Sequence, residues 1–443
     1  MRKEDLKLYR WLMMHIRLLI IFIIMNILSH DVLGSEETHY KCDFDGIKTI
    51  ELPLYPDRPI SSKFSYRYQV IGEANPEEPT IIYLPGGPGG SSINNYHLNE
   101  SKDYLIKTSL PDNETRIFID PRTSGCNQGD EKKFPDDSLR SEYLASDVIA
   151  VIRELRLKKY ILFGHSYGSQ WATFIAGQAE KEGIPTPHAL VLSGIIGLGK
   201  ADGTLAISYN LSKEWDALRE KLSEETLSIL DTSTNAPLGF DSSAWALLIV
   251  KGLYKGSHYI EGKLRHVLQE QLLLLDSNDP IVLKPLTDML KQYSPTVVRS
   301  IKSFGRGDYS DRLFEKIDCH EISPDDVNTT FSYGRIIRNP DDITCEKEVF
   351  DRPYDSGTLL TTAPIYYIAG ENDPATPYTG AFYHFEHQVR SRRNFIKVPG
   401  GGHNKIGLNF PDCLDKIWNS IFQQEDLDKV LKSCKSEVEL SIR

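Results

Sequence analysis

The chain has 443 residues, 40% hydrophobic and 26% charged, with a formal net charge of −11. This balance excludes a collagen-like, coiled-coil or wholly disordered chain and leaves ample length for a full core. At about 150 residues per domain it fits up to three domains, or one large α/β domain with an insertion. The acidic surplus argues against a nucleic-acid partner, which needs clustered Lys and Arg.

In chain order, the first feature is a targeting segment. Basic residues up to Arg17 precede the 11-residue apolar run Leu18–Leu28, and Val32 and Gly34 stand at the −3 and −1 positions before Ser35. A membrane span needs about 20 apolar residues, so residues 1–34 read as a signal peptide. An uncleaved anchor, extended through Trp11–Met14, is the competing reading. The expected location is secreted or periplasmic, with no stable membrane span. Six cysteines (Cys42, Cys126, Cys319, Cys345, Cys413, Cys434) contain no CxxC pair. Export favours disulfides. Local closure suggests Cys319–Cys345 and Cys413–Cys434, leaving Cys42–Cys126, with buried free thiols as the alternative. Sequons stand at Asn99, Asn113, Asn210 and Asn328.

Ile47–Leu54 and Ser61–Ile71 read as leading antiparallel strands. Thr80–Leu84, Arg116–Ile119, Tyr160–Phe163, Ala189–Leu192, Ile365–Ile368 and Phe395–Val398 read as buried strands. Ser141–Leu155 and Gln170–Lys181 are helical by period. Alternation of this kind predicts an α/β fold with a mainly parallel sheet. From about Lys200 to Pro353 the pattern turns helical. Trp215, Leu218, Leu222 and Ile229 form one apolar face, and His266–Leu275 and Ile281–Tyr293 are further helices. The expected organisation is therefore a core over 35–199 and 356–443, with a helical lid at 200–355 inserted between late strands. Trp215 and Trp245 are expected in the lid core.

The chemistry centres on Gly164-His165-Ser166-Tyr167-Gly168, directly after one strand and before a helix. That is the context of a nucleophile elbow, in which a sharp turn lifts the Ser166 hydroxyl off the sheet. A serine nucleophile needs a base, and the base needs an orienting acid. Asp373 follows the strand at Ile365 and His403 follows the strand at Phe395, in the chain order this fold requires and at strand C-terminal ends. The loop Pro85-Gly86-Gly87-Pro88-Gly89-Gly90 offers backbone donors, so Gly87 and Tyr167 form the expected oxyanion pair. The loop lacks the Gly-Lys-Ser/Thr ending of a phosphate cradle. No metal and no cofactor is expected: His384 and His387 read as an exposed helix face, not a metal pair. Asp120-Pro121-Arg122 reads as an internal Arg–Asp structural pair.

These motifs together resemble the proline iminopeptidase and tripeptidyl aminopeptidase branch of the α/β-hydrolases. That branch has Pro-Gly-Gly-Pro-Gly in the oxyanion loop, here Pro85 to Gly89; Gly-x-Ser-Tyr/Trp-Gly, here Gly164 to Gly168; and Asp-Pro-x-Thr-Pro, here Asp373 to Pro377. It has Asp-x-Arg-Gly-x-Gly where this chain carries Thr123 in place of the first Gly. The resemblance covers about Thr80–Gly199 and Thr362–Trp418. It implies an α/β-hydrolase fold and a serine aminopeptidase acting on peptides with a free N-terminus, whose lid acids hold the substrate ammonium. Glu214, Glu220, Glu224 and Glu225 are the acids available. A carboxylesterase or lipase with the same triad is the alternative, and a non-catalytic adhesion protein is a third reading. Epoxide hydrolases and dehalogenases carry Asp where this chain has Ser166.

Overall fold

The computed structural model describes residues 42–98, 109–111, 114–129, 133–199, 204–231, 238, 240, 242–260, 263–277, 279–292, 309–322, 351–403, 414–427, 430–431 and 441–442. The expected signal peptide at 1–34, Cys345, Cys413, Cys434, Asn99, Asn113 and Asn328 lie outside the described residues. Among those described, no helix is long and apolar enough to cross a membrane.

The leading strands are β1 (Ile47–Pro53) and β2 (Lys63–Ile71), followed by β3 (Thr80–Leu84), α1 (Ser92–Leu98) and β4 (Arg116–Ile119). Next come α2 (Ser141–Glu154), β5 (Tyr160–His165), α3 (Tyr167–Ala179) and β6 (Ala189–Ser193). The insertion carries α4 (Thr204–Arg219), α5 (Glu224–Asp231), α6 (Ser242–Lys255), β7 (Ser257–Ile260), β8 (Lys263–His266), α7 (Val267–Leu272), α8 (Pro280–Gln292) and α9 (Asp311–Ile317). The chain then returns through β9 (Ile365–Gly370), α10 (Tyr378–His387), β10 (Arg393–Val398), α11 (Leu414–Phe422) and β11 (Ser441–Ile442).

The main sheet runs β1-β2-β4-β3-β5-β6-β9-β10-β11. Pairing is parallel from β4 through β10 and antiparallel at β1–β2, β2–β4 and β10–β11. This order, with its antiparallel second strand and its parallel run from β4 through β10, is that of the α/β-hydrolase fold. The central strands are apolar throughout because helices cover both faces. Ile82, Leu84 and Leu162 point to the face covered by Leu144, Val148 and Ile152 of α2 and by Trp171 and Ile175 of α3. Ile81, Tyr83, Ile161 and Phe163 alternate to the other face, against Ile93 of α1 and Ile417, Trp418 and Ile421 of α11. Arg122 does form a buried pair, but with Asp147, through two bonds of 2.9 and 2.7 Å.

The chain leaves and re-enters the sheet side by side: the Gly199 amide donates to the Tyr354 carbonyl, and Leu198 bridges Asp355. Between them, Leu211, Trp215, Leu218, Trp245 and Leu286 build a separate apolar cluster. Two expectations are corrected here. The helix predicted from His266 starts at Val267, because Lys263–His266 pairs with Ser257–Ile260 as a hairpin. His384 is not exposed. It is fully buried, with Nε2 2.9 Å from Thr173 Oγ1 and Nδ1 2.9 Å from Tyr367 hydroxyl, and burial pushes its pKa down to about 3. His387 on the same helix is exposed.

One disulfide, Cys42–Cys126, joins residues 84 apart in sequence. Cys319 is also disulfide-bonded.

Candidate active site

Ser166 sits between β5 and α3 with φ 55 and ψ −126. Such a conformation costs about 1–3 kcal/mol and persists only where the surroundings over-determine it. They do so here with glycine. A Cβ on Gly164 would lie 2.2 Å from the Gly168 carbonyl oxygen, and one on Gly168 would lie 2.1 Å from that of Leu84. The missing side chains let β3, β5 and α3 close around the turn. A Cβ on Gly86 would stand 2.8 Å from that of Ser166, which puts the loop after β3 directly against the serine.

Tyr167 is the first residue of α3, so its N–H has no carbonyl partner within the helix. Gly87, with φ +47, stands in the loop beside Ser166, and the Tyr309 ring covers it. Tyr167 thus adjoins the serine in the chain, and the loop carrying Gly87 packs on it through Gly86.

Asp373 follows β9 and is buried. Its Oδ1 accepts the amides of Ala375 and Thr376, both at 2.9 Å, and its Oδ2 accepts the Thr376 hydroxyl at 2.6 Å. His403 Nδ1 lies 2.9 Å from Asp373 Oδ2 and 3.1 Å from Thr376 Oγ1. The loop carrying His403 is pinned from the insertion. Its amide donates to the Tyr254 carbonyl at 2.8 Å, and the Gly400 carbonyl accepts from the Ser257 amide. The imidazole is further enclosed by the His165 ring, centroids 4.7 Å apart, and by Gly194, where a Cβ would meet Cε1 at 2.8 Å. Gly194 directly follows Ser193, whose carbonyl accepts the Ser166 amide. Serine, acid and histidine therefore gather at the C-terminal edge of β5, β9 and β10.

The roles of Thr376, Tyr254 and Gly194 escaped the sequence reading. A signal existed only for Thr376, which is the Thr of the Asp-Pro-x-Thr-Pro run. Of the four lid acids named above, Glu220, Glu224 and Glu225 are exposed. Glu214 is half-buried: desolvation raises its pKa, while Lys213, Lys221 and a hydrogen bond with Asn372, next to Asp373, oppose the rise. Among the described residues no cluster of His, Cys, Asp and Glu could hold a metal.

No protein-family model matches the chain, and no curated protein matches it. Solved structures do. Rv0554 from Mycobacterium tuberculosis is 14% identical, with TM-score 0.43, covering 86% of this chain and 100% of its own. MGS-M2, an α/β hydrolase enzyme from a Medee basin deep-sea metagenome library, is 13% identical, with TM-score 0.42, covering 82% and 95%. A thermophilic esterase from Thermogutta terrifontis is 13% identical, with TM-score 0.40, covering 85% and 98%. The α/β-hydrolase assignment rests on the strand order and the elbow of this chain itself.

Proposed function

We propose that this chain is a serine hydrolase that releases residues from the free N-terminus of peptides. The carrying observation is the pair His403 Nδ1–Asp373 Oδ2 at 2.9 Å on the sheet edge that also holds a strained Ser166. With Nδ1–H donated to Asp373, His403 keeps a lone pair on Nε2 for the serine proton. Ser166 Oγ attacks the scissile carbonyl while His403 takes its proton. The oxyanion forms between the N–H groups of Gly87 and Tyr167. Collapse expels the amine, which takes the proton from His403, and leaves an acyl-enzyme. Water, deprotonated by His403, then releases the acid and returns the proton to Ser166.

Aminopeptidase action is supported by the motif resemblance and by Glu214, the lid carboxylate that reaches the Asp373 loop. A charge-assisted bond to a substrate ammonium is worth about 1.5–3 kcal/mol, roughly ten- to a hundredfold in kcat/KM. Residues 200–355 act as the lid in this reading, and the disulfides fit an exported chain. Intact mass of secreted material should start at Ser35; a retained Met1 counts against export.

The test has two arms. Ser166→Ala should lose about 10⁴- to 10⁶-fold in activity. One peptide substrate is then compared free and N-acetylated. Equal cleavage of both, or turnover of short esters only, replaces the aminopeptidase reading with an esterase. Full activity in Ser166→Ala ends the serine mechanism.

A further inference from the structure

Tyr309–Ile322 returns from the insertion to the core and touches both sides of the oxyanion pair. On the Gly87 side, the Tyr309 hydroxyl would lie 3.3 Å from a Cβ on Gly87. The Ser310 amide donates to the Gly89 carbonyl at 3.0 Å, and Ser310 Oγ lies 2.9 Å from Thr123 Oγ1. On the Tyr167 side stands Glu321, in the turn Asp318–Ile322 that continues α9.

Glu321 is buried, and three donors from two helices converge on it. Oε1 accepts the Ser141 amide at 3.0 Å, an otherwise unmatched N–H at the start of α2. Oε2 accepts the Ser141 hydroxyl at 2.5 Å and Gln170 Nε2 at 2.7 Å. Ser141 Oγ, having given its proton to the carboxylate, is left to accept from the Tyr167 hydroxyl at 2.8 Å. Tyr167 and Gln170 are three residues apart on the first turn of α3, the turn whose leading N–H faces the developing oxyanion. Burial and Glu142 push the Glu321 pKa up to about 7, while the Ser141 donors and Arg352 oppose the rise.

We propose that Glu321 is a positioning residue: through Ser141 and Gln170 it fixes the first turn of α3, and so the aim of the Tyr167 N–H at the oxyanion. A carboxylate suits this task because every partner is a donor. An amide in its place keeps the Ser141 amide bond only by turning its NH₂ group toward the Ser141 hydroxyl and Gln170, both of which must then reverse from donor to acceptor, and the phenol loses its fixed partner. The inference rests on the serine-hydrolase reading.

The experiment measures the second-order rate of fluorophosphonate labelling of Ser166 in the purified full chain, together with the fraction labelled at completion. Glu321→Gln should slow labelling about tenfold while the labelled fraction stays complete. Tyr167→Phe, which deletes the phenol oxygen alone, should slow it by a similar factor. The double variant should be no slower than the slower single, since both act through one chain of bonds. A merely structural role for Glu321 lowers the labelled fraction and leaves the rate of the remainder at wild-type value, which overturns the proposal. Wild-type rates in the variants, or factors that multiply in the double, overturn it too. If Glu321→Gln does not fold, Tyr167→Phe alone decides by the same criterion. Failure of the wild type to label is a different result: it removes the serine-hydrolase reading, and this inference falls with it.

Discussion

At Asp373 every oxygen lone pair that faces the site is matched: Oδ1 by two backbone amides, Oδ2 by Thr376 and His403. Thr376 is thus the side chain that sets the carboxylate plane against the imidazole. Thr376→Val keeps the volume and removes the hydroxyl. A bond to an ionised group is worth about 1.5–3 kcal/mol, and part of it is expressed when His403 becomes cationic. The expected outcome is a kcat about tenfold lower with KM nearly unchanged, read from steady-state kinetics. A rise in KM alone assigns Thr376 to substrate contact instead. At this scale Ser166, Asp373 and His403 were legible because each sits in a local motif at a strand end. Thr123 shows the opposite case. Its φ of 71 explains why the resembled pattern has glycine there, and its hydroxyl bond to Ser310 comes from 187 residues away, beyond any local motif.

At the scale of elements, the strands were legible because burial on both faces leaves unbroken apolar runs, and β3 and β4 lie where the runs do. The β7–β8 hairpin was not, since SHYI and KLRH are only four residues each and lack a clean apolar-polar alternation, even though Glu261-Gly262 stands between them. The docking of α3 is a close backbone contact in the site. Gly168→Ala would place a Cβ 2.1 Å from the Leu84 carbonyl oxygen and 3.0 Å from that of Pro85, both immovable backbone. Helix and strand must separate, and Ser166 moves away from Gly86 with them. We expect a loss of about 3 kcal/mol in urea unfolding together with loss of fluorophosphonate labelling. Gly183→Ala is the control. Gly183 has positive φ, which Gly168 does not, and nothing lies within 4 Å, so only the left-handed penalty of about 1–2 kcal/mol applies. Equal stability losses in the two variants would deny the close-contact explanation.

At the scale of the whole molecule, the insertion and the sheet are joined by contacts far apart in sequence: Tyr254 to His403, Ser310 to Gly89, Glu321 to Ser141. None of these had a sequence signature, because each depends on how the chain returns to the sheet. The helix layer behind the nucleophile depends on such contacts as well, and His384 there makes a prediction about pH. It bridges Thr173 on α3 and Tyr367 on β9, and burial lowers its pKa from 6.5 to about 3. Between these values the unfolded chain binds a proton that the folded chain refuses. Stability therefore rises with pH from about 3 to 6.5 on account of this group, and is lost as pH falls through that window, by up to about 1.4 kcal/mol per pH unit. Buried carboxyls with raised pKa slope the other way, Asp120 and Glu321 among them. Asp120 is raised from 3.8 to about 6 and Glu321 from 4.5 to about 7, so each favours the folded state as pH falls through its own window. The comparison that isolates His384 keeps both in place: urea unfolding of wild type and His384→Gln at several pH values from 3.5 to about 6.5. The variant should be less stable than wild type near neutrality, where it has lost a packed ring, and the gap should narrow steadily toward pH 3.5. A gap independent of pH would mean that the His384 ring is protonated within the fold, contrary to its burial between two hydroxyls.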